Sequence, residues 1–424
     1  MSQPQASTLR YSRLVNQSPI FYGWVILLMG TLGMIMTSPG QTYAVSIFIE
    51  HFITDLGISR SWVSTLYTAG TLIGSFALPF IGRQIDRHGT RVMVVVIATL
   101  LGGACIYMGF VANAAMLALG FIAIRMLGQG SLSLVSQNVI NQWWVRRRGT
   151  VMGLSGLVVA LLGLGGFPSL INWLIPLYGW QWTYIILGLI LLGVMVPLGG
   201  FFFRDYPETY GLQPDGDVII KTAEETLKAA EADWTLAAAR RTPVFWIASI
   251  GLSSIAMLGT GLFFHMVSIF DDNGLSQTIA ATVFLPIAVT SAIANLGGGV
   301  LADRIPPRIL LAIALFCQVA SLLMAQYLQS VPLAFIYGVL LGTTTGLMGA
   351  INSVIWASYF GRRYLGSISG VTTTILIVGA ALGPMPLGIA RDWLGSYNVA
   401  LTLFAALPLL LGIANLFFGK PEKV

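Results

Sequence analysis

The chain has 424 residues, of which 56% are apolar and only 9% charged, and its mean hydropathy is +0.82. Soluble domains carry about 25% charged residues, so this composition excludes a soluble globular protein and points to a polytopic membrane protein. The net charge of +6 is no sign of nucleic-acid binding, because the basic residues sit in short segments between apolar runs, where they read as orientation determinants.

Residues 1–19 are polar, and the apolar run that follows is too long for the core of a cleavable signal. The first span is therefore expected to act as its own insertion signal. Runs long enough to cross about 30 Å of hydrocarbon fall at 21–48, 62–81, 91–111, 115–142, 150–172, 180–203, 243–268, 278–301, 308–328, 333–359, 367–390 and 397–418. Helices are the physical choice, since a span in lipid must satisfy its own backbone, and the alternation of a membrane barrel is absent. The expectation is an all-α membrane protein with twelve transmembrane helices.

With the amino terminus in the cytoplasm, all of the 22 Lys and Arg except Arg60, Arg125 and Arg391 fall on the cytoplasmic side. That bias predicts both termini inside. Cys105 and Cys317 lie in apolar runs and read as small buried hydrophobes rather than a disulfide pair.

Between spans two and three lies a charged stretch, Gly82-Arg83-Gln84-Ile85-Asp86-Arg87-His88-Gly89-Thr90-Arg91, read as a loop. Gly, Asp, Arg and Arg recur at the same spacing in Gly299, Asp303, Arg304 and Arg308, 217 residues on. A second pair of basic segments, Trp143 to Gly153 and Phe360 to Gly370, aligns at the same offset, with Arg146 on Arg363 and Gly153 on Gly370. A repeat at half the chain length means two related halves. The expected division is a cytoplasmic tail (1–20), a six-helix bundle (21–203), a linker (204–242), a second bundle (243–418) and a short tail (419–424).

The linker carries eight acids, and Glu224 to Arg241 reads as a surface amphipathic helix with a solvated charged face. No metal-ligand cluster and no nucleophile–base pair appears, so an enzyme is not expected and no cofactor is implied.

Arg125 stands about ten residues into span four with no basic neighbour. A charge in the bilayer interior costs about 2.5–3.5 kcal/mol on insertion scales, so it should face a cavity or the bundle interior. Gln129 and Ser136 fall on its face at helical spacing. It reads as an anion anchor, as a proton-coupling element, or as a structural Arg that holds carbonyls. No acid lies mid-membrane: Glu50, Asp55, Asp271, Asp272 and Asp392 sit at outer ends, and Asp86 and Asp303 in the repeated stretches. A cavity with an Arg and no carboxylate favours an anion.

His265, near the outer end of span seven, reads as a titratable coupling site, a substrate donor, or a histidine satisfied by interfacial water. Span one is interrupted at Thr37-Ser38-Pro39-Gly40-Gln41-Thr42-Tyr43, and such breaks mark either binding sites or packing kinks. Gln41 is the polar group there. Span ten offers Asn352 and Trp356 at helical spacing, span eight Asn295 and span two Tyr67; interhelical hydrogen bonding explains these equally well.

The repeated stretch resembles the signature G-x-L-a-D-r-x-G-r-k of the major facilitator superfamily of transporters, departing at Gln84 in the first copy and at Pro306-Pro307 in the second. Arg125-Met126-Leu127-Gly128-Gln129-Gly130 resembles its fourth-span motif R-x-x-q-G with one residue inserted. Gly379 to Pro384 resembles its antiporter motif, which belongs in span five rather than span eleven. The resemblance implies two pseudo-symmetric six-helix bundles around a central pathway. It also implies a conformational latch from Gly82, Asp86, Arg87 and Arg91, with Asp303, Arg304 and Arg308 as the weaker copy. Asp favours helix amino termini and Arg favours exposed carbonyls, so such contacts can exist in one state and break in another.

Within the superfamily the chain is similar to bacterial monocarboxylate and oxalate/formate-type porters. The similarity rests on Phe21-Tyr22-Gly23-Trp24, Pro39-Gly40-Gln41-Thr42, Gly57-Ile58-Ser59-Arg60, Arg204-Asp205-Tyr206-Pro207-Glu208 and Gly211 to Gly216. It implies a monomeric secondary transporter in a bacterial inner membrane, moving a small organic anion such as lactate or pyruvate with protons or by exchange. Here span eight carries no Lys or Arg and span eleven only Arg391, so the basic residue that such porters often place there is missing. Efflux of amphipathic compounds, or a receptor on the same scaffold, are the competing readings. Gln41, Arg125, Gln129, His265 and Asn352 are the expected substrate contacts.

Overall fold

The computed structural model describes residues 11–58, 60–216, 233–383, 386–387, 389–390 and 394–421. No strand occurs among them. Eleven helices among the described residues are long and apolar enough to cross a membrane, and the shorter Arg148–Gly163 supplies the run expected as span five. The twelve-helix membrane fold is thus what the chain forms. Leu28, Ile73, Phe76, Leu285, Ile293 and Phe417 stay exposed, as lipid-facing side chains do.

The described chain groups into two compact units. The first combines Met1–Val151, Leu161–Asp233 and Gly361–Gly370; the second combines Met152–Ala160, Trp234–Phe360 and Val371–Val424. Each half of the sequence therefore lends a short segment, at the start of its fifth helix, to the other half's unit.

Inside the first unit, helices close on one another through small residues, as they must where lipid removes the hydrophobic drive for association. A Cβ on Gly33 would collide with Ser136 Oγ, and one on Gly188 would lie 2.6 Å from the carbonyl of Gly102. These contacts bring span one onto span four and span three onto span six. In the second unit a Cβ on Gly342 would lie 2.5 Å from the carbonyl of Ile287, and one on Gly346 would collide with the carbonyl of Ser291. Spans eight (Gln277–Ala302) and ten (Val331–Phe360) are packed backbone to backbone there. Leu262, Phe270, Val283, Tyr337 and Leu401 form the core beside them.

Span one carries the expected break, and two expectations change. Helix Gly23–Ile35 gives way to a 3₁₀ turn at Ser38–Gly40, and a fresh helix runs Thr42–Leu56, past the expected end at residue 48. Pro39 and Gly40 deny the helix a donor and stiffness at adjacent positions. The first signature stretch is not a loop: helix Leu78–His88 continues through Gly82 to His88 and stops at Gly89, whose φ of 84° only glycine adopts without strain. His265 is not within a continuous helix but at the break between Pro243–Phe264 and Met266–Asp272. The first half of Glu224 to Arg241, together with Pro384 and Arg391, lies outside the described residues.

Candidate functional site

The node around Arg125 is built from three elements of the first unit. Span four is α-helical over Ala114–Ile124 and Ser133–Trp143, but Arg125–Leu132 between them is a π-helix. A π-turn absorbs one extra residue. The single inserted residue visible in the sequence falls within this π-helical stretch, between the two α-helical segments.

Arg125 is 5% exposed. Its Nε donates to Thr71 Oγ1 at 2.8 Å, and its Nη1 donates to the carbonyl of Gly40 at 2.8 Å and to Thr42 Oγ1 at 3.4 Å. The guanidinium lies 4.6 Å from the centre of the Tyr67 ring, a favourable cation–π placement. Tyr67 in turn donates its hydroxyl to Thr42 Oγ1 at 2.8 Å. Every partner of this cation is neutral, and no carboxylate of the described residues pairs with it. The Gly40 carbonyl is available because the span-one helix breaks there. The approach is close: a Cβ on Gly40 would collide with the carbonyl of Ile124, and one on Gly128 would lie 3.0 Å from the Cα of Gly40.

The other expected contacts do not all gather here. Gln41 turns its Nε2 to Thr37 Oγ1 at 2.9 Å instead of to Arg125. Gln129 is half-buried, and the π-helix rotates it away from the α-helical register expected for it. Ser136 Oγ and Asn138 Nδ2, two turns or more further along, are buried without a partner. In the second unit His265 Nδ1 lies 3.1 Å from the Tyr397 hydroxyl. Asn352 accepts from Trp356 Nε1 at 3.2 Å. His265 and Asn352 make no hydrogen bond to each other. Sequence reasoning missed Thr71; its one signal was its place a turn beyond Tyr67 on the same face of span two.

A second node lies at the first signature stretch. Asp86 Oδ1 accepts the N–H of Gly366 at 2.8 Å, and its Oδ2 accepts the N–H of Ser367 at 2.7 Å and the Ser367 hydroxyl. The carboxylate thus caps the start of helix Leu365–Leu382, where unpaired amides favour an anion. Gly82 makes the approach possible, because a Cβ there would collide with the carbonyl of Gly366. Arg91 Nε donates to the carbonyl of Gly200 at 2.8 Å. Arg87 is exposed. Of the second copy, Arg304 is exposed, whereas Asp303 and Arg308 are half-buried.

The linker acids among the described residues, Asp205, Glu208, Asp215 and Asp233, do not form a solvated face. Asp205 accepts the N–H of Thr90 at 2.6 Å and its hydroxyl at 2.8 Å, capping helix Thr90–Met108. Asp215 accepts three successive amides, of Val145, Arg146 and Arg147, at 3.0, 2.8 and 3.0 Å. Asp233 accepts the amides of Arg362 and Arg363 at 3.0 and 3.4 Å. The Arg362 guanidinium reaches the carbonyl of Gln142 and pairs with Glu208. Tyr206 donates its hydroxyl to the carbonyl of Arg362 at 3.1 Å. Burial, and after it the Asp86 carboxylate, push that phenol above its ordinary range, so it stays a donor.

The repeat is visible in the packing as well. A Cβ on Gly370 would lie 2.5 Å from the carbonyl of Leu78 in the first unit, and one on Gly153 would lie 3.5 Å from the carbonyl of Asn295 in the second. Both pairs of residues are related by the same 217-residue offset.

The sequence pattern of the Major Facilitator Superfamily matches residues 31–384 and 271–423. The chain is similar to the oxalate:formate antiporter of Oxalobacter formigenes, 25% identical over 378 residues that cover 85% of this chain and 84% of that one. It is similar to the probable sulfoacetate transporter SauU of Cupriavidus necator, 23% identical over 398 residues and 86% of each chain. A multidrug resistance protein B homolog of Mycobacterium tuberculosis is 31% identical over 166 residues, 38% of this chain and 30% of that protein. The fold matches the crystal structure of the human organic anion transporter MFSD10 (TETRAN) with a TM-score of 0.69, at 16% identity, over 94% of this chain and 100% of that one.

Proposed function

This chain belongs to the major facilitator superfamily, and from that premise we propose that it is a secondary transporter of a small organic anion, working by alternating access with proton coupling or by exchange. The observation that carries the reading is the Arg125 guanidinium, buried among neutral partners with no carboxylate of the described residues to balance it. An unbalanced buried cation is costly, and an anionic substrate offsets that cost when it arrives. Ser136 and Asn138, buried and unpartnered on the same helix, are further groups a hydrated polar substrate can satisfy. Gln41, Gln129, His265 and Asn352 are proposed as secondary contacts. The similarity to carriers named for oxalate, formate and sulfoacetate supports small acids as the class.

The site of action is proposed to be a bacterial inner membrane, with both termini cytoplasmic and the protein a monomer. The latch is proposed to comprise Gly82, Asp86, Arg87 and Arg91, with Asp303, Arg304 and Arg308 in the second half. The test is uptake by proteoliposomes of labelled formate, lactate, oxalate and sulfoacetate. It is run with and without a pH gradient, and with and without unlabelled anion inside, beside an Arg125→Gln variant. Acid-selective uptake lost in the variant supports the reading. Uptake unaffected by the variant removes Arg125 from the substrate path. No acid uptake, with extrusion of amphipathic drugs by cells, favours the efflux reading that the partial similarity to a multidrug resistance homolog suggests.

A further inference from the structure

The offset of 217 residues maps Val145 and Arg146 onto Arg362 and Arg363. The amides of both pairs are held by a carboxylate: Asp215 for the first and Asp233 for the second. The linker that supplies both acids has no counterpart elsewhere in the repeat. One unrepeated segment therefore binds the same two backbone positions of each repeat.

The two grips differ in their surroundings. Asp215 takes three amides and holds a φ of 61°, followed by Gly216 at 72°. A non-glycine residue in that region stores strain and persists only where its surroundings fix it. Gly216 is wedged against the Phe21 ring, 2.9 Å from where a Cβ would sit, and Pro214 is buried. Asp233 accepts the amides of Arg362 and Arg363 at 3.0 and 3.4 Å. It is followed by Trp234, whose N–H donates to the carbonyl of Phe360 at 2.9 Å and whose ring meets Phe360 edge-on at 6.0 Å. The segment gripped by Asp233 is also the one whose amides 366 and 367 are capped by Asp86 and whose Arg362 side chain is paired with Glu208.

We propose that the linker is a working part of the conformational switch, with Asp215 a permanent brace and Asp233 a releasable clasp that holds the 361–367 segment together with Asp86. This rests on the alternating-access reading. In the other state Asp233 and Asp86 let go of that segment as one cooperative step. The linker thereby sets how readily the protein leaves the present state.

The test is hydrogen–deuterium exchange of the full-length protein in lipid nanodiscs without substrate, read over peptides covering 361–370 and 143–150. Asp233→Asn keeps the size and removes the charge. It is expected to raise exchange about ten-fold at 362–363, the factor corresponding to one lost charge-assisted hydrogen bond, and by a similar factor at 366–367. Faster exchange at 362–363 alone makes Asp233 a local cap and overturns the clasp. Asp215→Asn is expected to speed exchange at 145–147 and leave 361–370 unchanged; opening of 361–370 overturns the division of roles. Should Asp233→Asn fail to insert, Glu208→Gln, which frees the Arg362 side chain, carries the same expectation. The readout needs no substrate, so failure of the anion assignment in the uptake screen leaves it untouched.

Discussion

The carbonyl of Gly40 accepts a 2.8 Å hydrogen bond from Arg125, 85 residues further along the chain. Two local irregularities make that bond. The 3₁₀ turn at Ser38–Gly40 frees a carbonyl from its helix, and the π-turn at Arg125–Leu132 sets the guanidinium against it. Each defect would be costly alone in a membrane, where a loose backbone group has no water to bond. Together they satisfy the carbonyl but leave the cation's charge unbalanced.

Arg125 is expected to be needed for both stability and transport. In Arg125→Gln, Thr71 and Gly40 lose a charged donor, and a buried acceptor left unsatisfied costs about 1–3 kcal/mol. Arg125→Lys should not rescue it, because an ammonium cannot serve Thr71 and Gly40 in the planar fork geometry. Thermal melts in detergent and uptake in proteoliposomes check this together. A lysine variant with wild-type melting and uptake would refute it.

Gly40 and Gly128 should tolerate no side chain. Their added Cβ atoms meet backbone rather than flexible side chains, so the helices must part, at a cost of about 1–3 kcal/mol for such overpacking. Gly193, where a Cβ would meet nothing within 4 Å, is the control, and Gly193→Ala should melt as the wild type does. Equal melting temperatures for all three alanine variants would show that the close approach is not a constraint.

The insertion in span four makes a sharper prediction. Deleting Leu127 inside the π-turn should give a continuous α-helix, keep both flanks in register and yield a folded protein. Deleting Leu119 in the regular helix Ala114–Ile124 turns everything beyond it by about 100°, one residue's rotation at 3.6 per turn. That carries Arg125 off Thr71 and Gly40. Expression and melting of the two deletions are the measurement, and equal damage from both would argue against the π-turn as a register buffer.

That element also shows how far the sequence could be read. The extra residue was visible in Arg125 to Gly130, and hydropathy located the spans, because a membrane helix announces itself by length and apolarity. The π-turn was not visible, since an insertion does not say where the helix will widen. The linker acids were misread for a related reason. Asp205, Asp215 and Asp233 sit in polar surroundings that look solvated in one dimension, while their partners are backbone amides from 68 to 130 residues away. Backbone donors have no sequence signature. Gly82 and Asp86 stood out because glycine and acid sit at fixed spacing, but the donors that Asp86 meets, Gly366 and Ser367, were not visible.

The repeat-related glycines should not be equally sensitive. Gly370 brings its Cβ position to 2.5 Å from the carbonyl of Leu78, too close for any real contact, whereas Gly153 keeps 3.3 Å from Leu296 Cα and 3.5 Å from the carbonyl of Asn295. An alanine at Gly153 requires only a few tenths of an ångström of give. At Gly370 a backbone carbonyl has to move, and interiors packed this tightly resist such shifts. Gly370→Ala should therefore lose about 1–3 kcal/mol, and Gly153→Ala less than half of that. Because the Gly370 contact lies next to the Asp86 cap on Gly366 and Ser367, Gly370→Ala should also speed amide exchange at 366–367, which Gly153→Ala should leave alone. Parallel melts and exchange measurements on the two variants decide it. Equal losses would mean that the two copies of the repeat have kept the same packing, and that the asymmetry at 2.5 and 3.5 Å has no energetic consequence.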